Sequence, residues 1–166
     1  LYTFNSFYSM NHKKKIIIGL LILVVIAQFF QPNKNQGNLE SITHFLEKTQ
    51  APKEVQIILE HACFDCHSSH TNYPWYSSIT PVNYWLNSHI KEGKKHFNVS
   101  KWDSYSVKKK DHKLEEMIEE LENESMPLTS YTWTHKEAQL TDAQVHSLKE
   151  WVHSLRSSYK LNNDHN

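Results

Sequence analysis

The stretch Cys63-Phe64-Asp65-Cys66-His67 places two thiols three positions apart and an imidazole directly after the second. This C-x-x-C-H pattern is the attachment signature of a c-type haem, since each thiol can add across a porphyrin vinyl group while the imidazole faces the iron. A zinc site would need a second Cys or His pair at matching spacing, and a thioredoxin-like dithiol would need a strand–helix setting. The chain has only two cysteines, and the pattern around them is helical. We therefore predict one covalent haem c, with its iron.

The composition favours an all-α domain and argues against nucleic acid as a partner. The formal net charge is zero, and the basic residues form no continuous stripe. Only three glycines occur, and alternating Val/Ile runs are missing outside the N-terminus. Aromatic residues make up 12 per cent of the chain, with five tryptophans. Such side chains suit a small domain around a large flat cofactor, although an ordinary aromatic core has the same composition.

The N-terminal part has the pattern of an export segment. Three lysines precede an apolar run that begins at residue 16, as in the n- and h-regions of a signal. No A-x-A cleavage pattern follows, so we predict an uncleaved membrane anchor over residues 16–30 in preference to a cleaved signal. Residues 1–15 are then cytoplasmic, and we expect the true start to be Met10. Residues 31–38 are polar and form a linker.

A single haem-binding domain is predicted over residues 39–160, followed by a tail at 161–166. Apolar residues recur at helical spacing over 55–62, and this helix runs directly into the first cysteine. The next helix is predicted to end near Gly93. A last helix is predicted to start at Thr141, where T-x-x-Q matches a capping box. The expected fold is therefore a small, all-α, cytochrome c-like domain around the haem, preceded by the N-terminal transmembrane or signal helix.

Two iron ligands are predicted. His67 takes the proximal position because the motif places it there. Met126 is the candidate distal ligand, since it lies in a loop before Pro127 from which a thioether could reach the opposite haem face. Met117 lies on the apolar stripe of a helix, which favours a place in the core. Two alternatives stay open: Met126 as ordinary packing, and His89, on an otherwise apolar helix face, as the sixth ligand.

Aromatic side chains and one proline near the motif are candidate walls of the haem pocket. A Tyr hydroxyl or a Trp indole could also reach a haem propionate. Each of these residues could equally belong to the core without touching haem. The candidates are Tyr73, Pro74, Trp75, Trp85, Phe97 and Trp102.

The order of these motifs resembles a class I cytochrome c, and more closely the bacterial haem-binding domain family. The resemblance covers about residues 50–155. It implies a monohaem c-type domain behind an N-terminal export segment or anchor, and it supports Met126 as the distal ligand. His135 also falls at a family-typical position, which we interpret as bracing the methionine loop. The residues that carry the resemblance are Cys63-Phe64-Asp65-Cys66-His67-Ser68, Tyr73-Pro74-Trp75-Tyr76, Ile79-Thr80-Pro81-Val82, Glu92-Gly93, residues 97–102, Met126-Pro127-Leu128, Tyr131, His135, residues 138–140 and Trp151.

These features predict an electron carrier in the cell envelope. An iron ligated on both faces offers no vacant site, so the chain is expected to be no enzyme. Attachment of haem c implies export in a bacterium, which places an inner-membrane-anchored domain in the periplasm, with redox partner proteins whose identity the sequence does not give. The alternatives are a haem-based sensor or ligand-binding module, and a peroxidase-like enzyme with a displaceable sixth ligand. The single C-x-x-C-H motif and the lack of a recognisable output domain speak against both.

Overall fold

The computed structural model describes residues 11–163, and helix is the regular secondary structure throughout that range. The predicted start at Met10 and the last residues of the predicted tail lie outside it. The pairing of Gln36 with His70 is an isolated bridge and not a strand, so the all-α prediction is confirmed for the described residues. The α-helices are α1 His12–Ala27, α2 Glu40–Lys48, α3 Lys53–Ala62, α4 Phe64–His67, α5 Val82–His96, α6 Val107–Glu122, α7 Thr129–Thr132 and α8 Asp142–Asn163, and 3-10 helices cover Trp75–Ser78, Val99–Ser104 and Lys136–Ala138.

The described chain divides into two compact units. The first combines residues 11–34 with residues 73–88, and the second combines residues 35–72 with residues 89–163. Helix α5 contributes its first part to the first unit and its last part to the second. The predicted haem domain, 39–160, thus covers most of the second unit and the segment 73–88, which belongs to the first.

Hydrogen bonds between its two segments hold the first unit together. The Gln28 side chain donates to the Thr80 carbonyl at 3.2 Å and accepts from the Thr80 N–H at 2.9 Å. The Thr80 hydroxyl donates to the Ala27 carbonyl at 3.3 Å. The Tyr84 hydroxyl donates to the Phe30 carbonyl at 3.1 Å. These four bonds join the C-terminal end of α1 to the start of α5.

The predicted membrane anchor is not supported. Helix α1 has 16 residues, which at about 1.5 Å per residue give a length of about 24 Å, short of the roughly 30 Å hydrocarbon core of a bilayer. Within residues 11–163, no helix combines the length and the apolar character needed to cross a membrane.

An aromatic cluster forms the core of the second unit. Phe45, on α2, meets Trp102 edge-to-face at a ring-centroid distance of 5.2 Å, and it meets Phe64 and Trp151 in the same way at 6.3 and 6.4 Å. Such edge-to-face pairs stabilise a core by more than their buried area alone. The apolar faces of α3, α6 and α8 complete the cluster with Val55, Ile58, Leu59, Leu114, Ile118, Leu148 and Val152.

A tight turn ends α6 and leads into the predicted distal loop. The Ser125 N–H donates to the Glu120 carbonyl at 2.9 Å, and the Glu124 N–H donates to the Leu121 carbonyl at 3.3 Å. Glu124 has a φ of 53°, the left-handed conformation of a Schellman motif. The Met126 N–H also donates to the Glu120 carbonyl, at 3.3 Å. These hydrogen bonds fix the backbone conformation from the end of α6 to Met126.

Gly93 does not end its helix as predicted, because α5 continues to His96. The glycine instead allows a close approach to the C-x-x-C-H segment. A Cβ atom added at Gly93 would lie 2.6 Å from the Cys66 carbonyl oxygen and 3.1 Å from the Cys66 Cβ. Only a residue without a side chain fits there.

Candidate functional site

A cavity of about 610 Å³ lies in the second unit. This volume falls within the range of cofactor and small-molecule sites. Both cysteines and the histidine of the motif line it. Some of its other lining side chains are charged, such as Glu92, Lys113 and Glu120, and others are apolar. The apolar ones include Phe97, Met117, Leu121, Met126, Leu128 and Leu140.

One hydrogen bond fixes the tautomer of His67. Its Nδ1 lies 3.0 Å from the Phe97 carbonyl oxygen, and a carbonyl only accepts, so Nδ1 carries the hydrogen. The lone pair is then on Nε2, the arrangement that metal-ligating histidines use. Burial lowers the pKa of His67, although hydrogen bonds to the Phe97 and Gly93 carbonyls act in the opposite direction. A neutral imidazole with a fixed tautomer is the form that binds iron.

The pKa values of the two thiols differ in direction from those of a redox dithiol. Both cysteines are free. Burial, and then the neighbouring Cys66, raises the pKa of Cys63 to about 12. Burial, and then Asp65, raises the pKa of Cys66 to about 11. Reactive C-x-x-C pairs have lowered pKa values, because the thiolate is their nucleophile. Two protonated thiols beside a large apolar cavity suit covalent attachment of a porphyrin better.

Within residues 11–163, the donors that a zinc site needs are not grouped together. In the described part of the chain, no three His, Cys, Asp or Glu side chains are grouped so that they could hold a metal ion. A structural zinc ion takes four protein ligands, whereas haem iron takes one from each face. His67 and one donor across the cavity are therefore sufficient for haem, and the residues present fit that group.

Four side chains at the cavity could supply the distal donor. Met126 lines the cavity, as expected for the predicted ligand, and so do His89 and His96. Met117 also lines it, although its helical stripe favoured the core. Met117 is only half-buried, so it lies at the border between core and cavity. No signal in the sequence separates it from the buried residues of the same stripe.

The predicted aromatic walls fall into three groups. Phe97 lines the cavity, with its ring centroid 6.0 Å from that of His67. Trp102 is 2% exposed and packs behind Phe97 at 6.1 Å, so it belongs to the core and not to the cavity lining in the described chain. The remaining candidates belong to the first unit, and their contact with haem stays a prediction. They are Tyr73, Pro74, Trp75 and Trp85.

Sequence reasoning missed the link between Tyr131 and the motif. Tyr131 lines the cavity, and its hydroxyl donates to the Asp65 carboxylate at 2.8 Å. Burial and the Asp65 charge raise the pKa of Tyr131, which keeps the phenol a donor. The His135 ring stacks on the Tyr131 ring at 4.0 Å, and its bracing of the methionine loop stays a prediction. Donor and acceptor are 66 residues apart in the chain, so no local sequence pattern predicts this pair.

Comparison with known proteins gives one result. A family model described as the haem-binding domain matches residues 22–154. That range contains the C-x-x-C-H motif, the Met126 loop and Tyr131. No curated protein and no solved structure gives a significant match.

Proposed function

The chain belongs to the haem-binding domain family, and on that premise we propose that it holds one covalent haem c and transfers electrons. The observation that carries the proposal is the convergence of Cys63, Cys66 and His67 on one apolar cavity, with the His67 Nδ1 committed to the Phe97 carbonyl at 3.0 Å. That commitment leaves Nε2 for iron, and the two thiols remain for thioether bonds.

We propose Met126 as the distal ligand. When bound, haem supplies a one-electron couple between ferrous and ferric iron, and a Met/His pair raises its reduction potential. A side chain on each face of the iron leaves no position for a substrate, so we propose an electron carrier and not an enzyme.

We further propose that the domain works outside the cytoplasm, in a bacterial cell envelope, with redox proteins as its partners. The support is chemical, because haem is attached to C-x-x-C-H motifs after export. Comparing the haem-stained protein in periplasmic and cytoplasmic fractions tests this. Haem-loaded protein confined to the cytoplasm would contradict it.

Haem attachment is tested on a denaturing gel stained for haem. The wild-type chain should keep its colour, since thioether bonds survive denaturation. Replacing Cys63 and Cys66 together with alanine should abolish the colour, whereas Met126→Ala should retain it because no thioether bond is lost. A wild-type chain that loses its haem on the gel would refute a c-type attachment.

The distal ligand is tested with two methionine variants. Met126→Ala should abolish the weak thioether–iron charge-transfer band of the oxidised protein, and Met117→Ala, its matched control at the same cavity, should leave the band in place. The reverse result would assign the ligand to Met117. A wild-type protein without the band that binds carbon monoxide or peroxide rapidly would instead favour the sensor or peroxidase-like alternative, with His89 as a candidate sixth ligand.

A further inference from the structure

Asp65, between the two cysteines, has a fully engaged carboxylate. Its Oδ1 accepts from the Asn72 backbone N–H at 2.8 Å, and its Oδ2 accepts from the Tyr131 hydroxyl at 2.8 Å. Its backbone carbonyl accepts from the Thr71 hydroxyl at 2.6 Å. The motif turn is thus tied to the loop that follows it and to α7, and bonds to a charged acceptor are the stronger kind.

Tyr131 also makes contacts with Leu128 and His135. Its backbone N–H donates to the Leu128 carbonyl at 2.9 Å, within the short helix that directly follows the Met126 loop. Its ring stacks on His135 with an interplanar angle of 12°. The His135 Nδ1 lies 3.1 Å from the Tyr131 carbonyl oxygen. The His135 ring and the Asp65 carboxylate therefore hold the phenol in one orientation, and the backbone bond places Tyr131 directly after the Met126 loop.

We propose that the Asp65–Tyr131 hydrogen bond positions the Met126 thioether opposite His67. The bond links the proximal segment, which fixes the histidine, to the distal segment, which carries the methionine. Tyr131 and Asp65 act through Met126, so they are positioning residues and not ligands. This inference rests on the proposed His67/Met126 ligation. It adds that the Asp65–Tyr131 hydrogen bond controls the strength of the sulfur–iron bond.

The test uses Tyr131→Phe in the haem-loaded, full-length chain. Phenylalanine keeps the ring that stacks on His135 and removes only the hydroxyl. Tyr105→Phe is the matched control, because Tyr105 packs its ring on Trp102 at 6.3 Å and does not line the cavity. Both variants keep the cysteines, so their haem content on the gel should equal that of the wild type.

Tyr131→Phe should weaken the thioether–iron band and shift the midpoint potential to lower values, because a looser Met ligand favours ferrous iron less. Amide hydrogen exchange over residues 126–131 should become about tenfold faster, as expected from loss of one hydrogen bond to a charged acceptor. Tyr105→Phe should change none of these. In an Asp65→Ala background, Tyr131→Phe should have a clearly smaller effect on the potential, since the bond to Asp65 is already lost and only the longer contact of the hydroxyl with the His61 carbonyl, at 3.3 Å, remains.

The outcomes separate this inference from the function on which it rests. A wild-type band that Tyr131→Phe leaves unchanged, with an unchanged potential, overturns the positioning role alone. Equal effects of Tyr131→Phe with and without Asp65 also overturn it, because the phenol would then act through another contact. A wild-type spectrum without the band overturns the His67/Met126 ligation, and the positioning role with it.

Discussion

Replacing Gly93 with alanine is expected to destabilise the protein. The added Cβ would lie 2.6 Å from the Cys66 carbonyl oxygen, against at least 3.4 Å for an ordinary contact, so α5 or the motif must move by about 0.8 Å. Overpacking of this kind costs about 1–3 kcal/mol. Alanine regains about 0.5–1 kcal/mol of helix propensity, which is too little to reverse the sign. The expected net loss is centred on about 1 kcal/mol, within a range of about 0–2.5 kcal/mol, which corresponds to about 2–4 °C in Tm at the centre for a chain of this size.

Thermal unfolding measures that loss, and Gly19→Ala is the matched control, since a Cβ at Gly19 meets nothing within 4 Å. The control should be neutral or slightly stabilising. The Gly93 variant should also attach less haem, because the shift moves Cys66 and loosens the Phe97 N–H bond to the Gly93 carbonyl, now 2.9 Å. If the Gly93→Ala protein had the wild-type Tm and haem content, the close approach of α5 to Cys66 would not require glycine at position 93.

Three further substitutions test single contacts. Glu124→Gly should stabilise the fold by about 0.5–1 kcal/mol, because glycine tolerates the φ of 53°; urea denaturation measures this, and a destabilised variant would contradict it. The Arg156 hydrogen bond lowers the pKa of Asp111, so its stabilisation is present above the ordinary value of 3.8 and is lost as the pH falls through the lower folded value. Asp111→Asn should therefore lower the free energy of unfolding by up to about 1 kcal/mol near neutral pH, and the difference in Tm between the wild type and the variant should vanish in acid. A difference in Tm that does not change with pH would show that the effect does not come from the charge of Asp111. Trp151→Phe removes the indole bond to the buried Thr49 carbonyl, 3.2 Å long, and should cost about 1–3 kcal/mol in chemical denaturation; an unchanged midpoint would show that the bond contributes nothing.

The features that the sequence predicts well are local ones. The last helix begins where its capping box lies: the Gln144 N–H donates to the Thr141 hydroxyl at 3.3 Å, and the Thr141 N–H donates to the Gln144 side chain at 2.9 Å. The cavity is likewise lined by Cys63, Asp65, Cys66 and His67 of the motif and by Met126 from the Met-Pro loop. The capping box and the motif are each formed by near neighbours in the chain, so spacing alone identifies them, whereas Met126 is identified by the Met-Pro loop that carries it.

The features that the sequence does not predict depend on contacts between distant segments. Gly93 looks like a helix stop, but its role comes from a carbonyl oxygen on another helix. Trp102 looks like a pocket wall, but Phe45 and Phe97 enclose it in the core. The Tyr131 bond to Asp65 joins segments that no periodicity connects. A pattern of residue types shows which face of a helix is apolar, but not which neighbour that face meets.

The extra turn of α5 beyond Gly93 has an electronic consequence. It puts the Phe97 carbonyl, which accepts from the His67 Nδ1, at the C-terminal end of a helix that runs to His96. The aligned peptide dipoles give that end a partial negative charge of about −0.5. An iron at Nε2 would therefore receive more electron density from the imidazole, which stabilises the ferric state. A methionine sulfur favours the ferrous state, so the axial pair would act on the potential in opposite directions, and the length of one helix would help to set the balance.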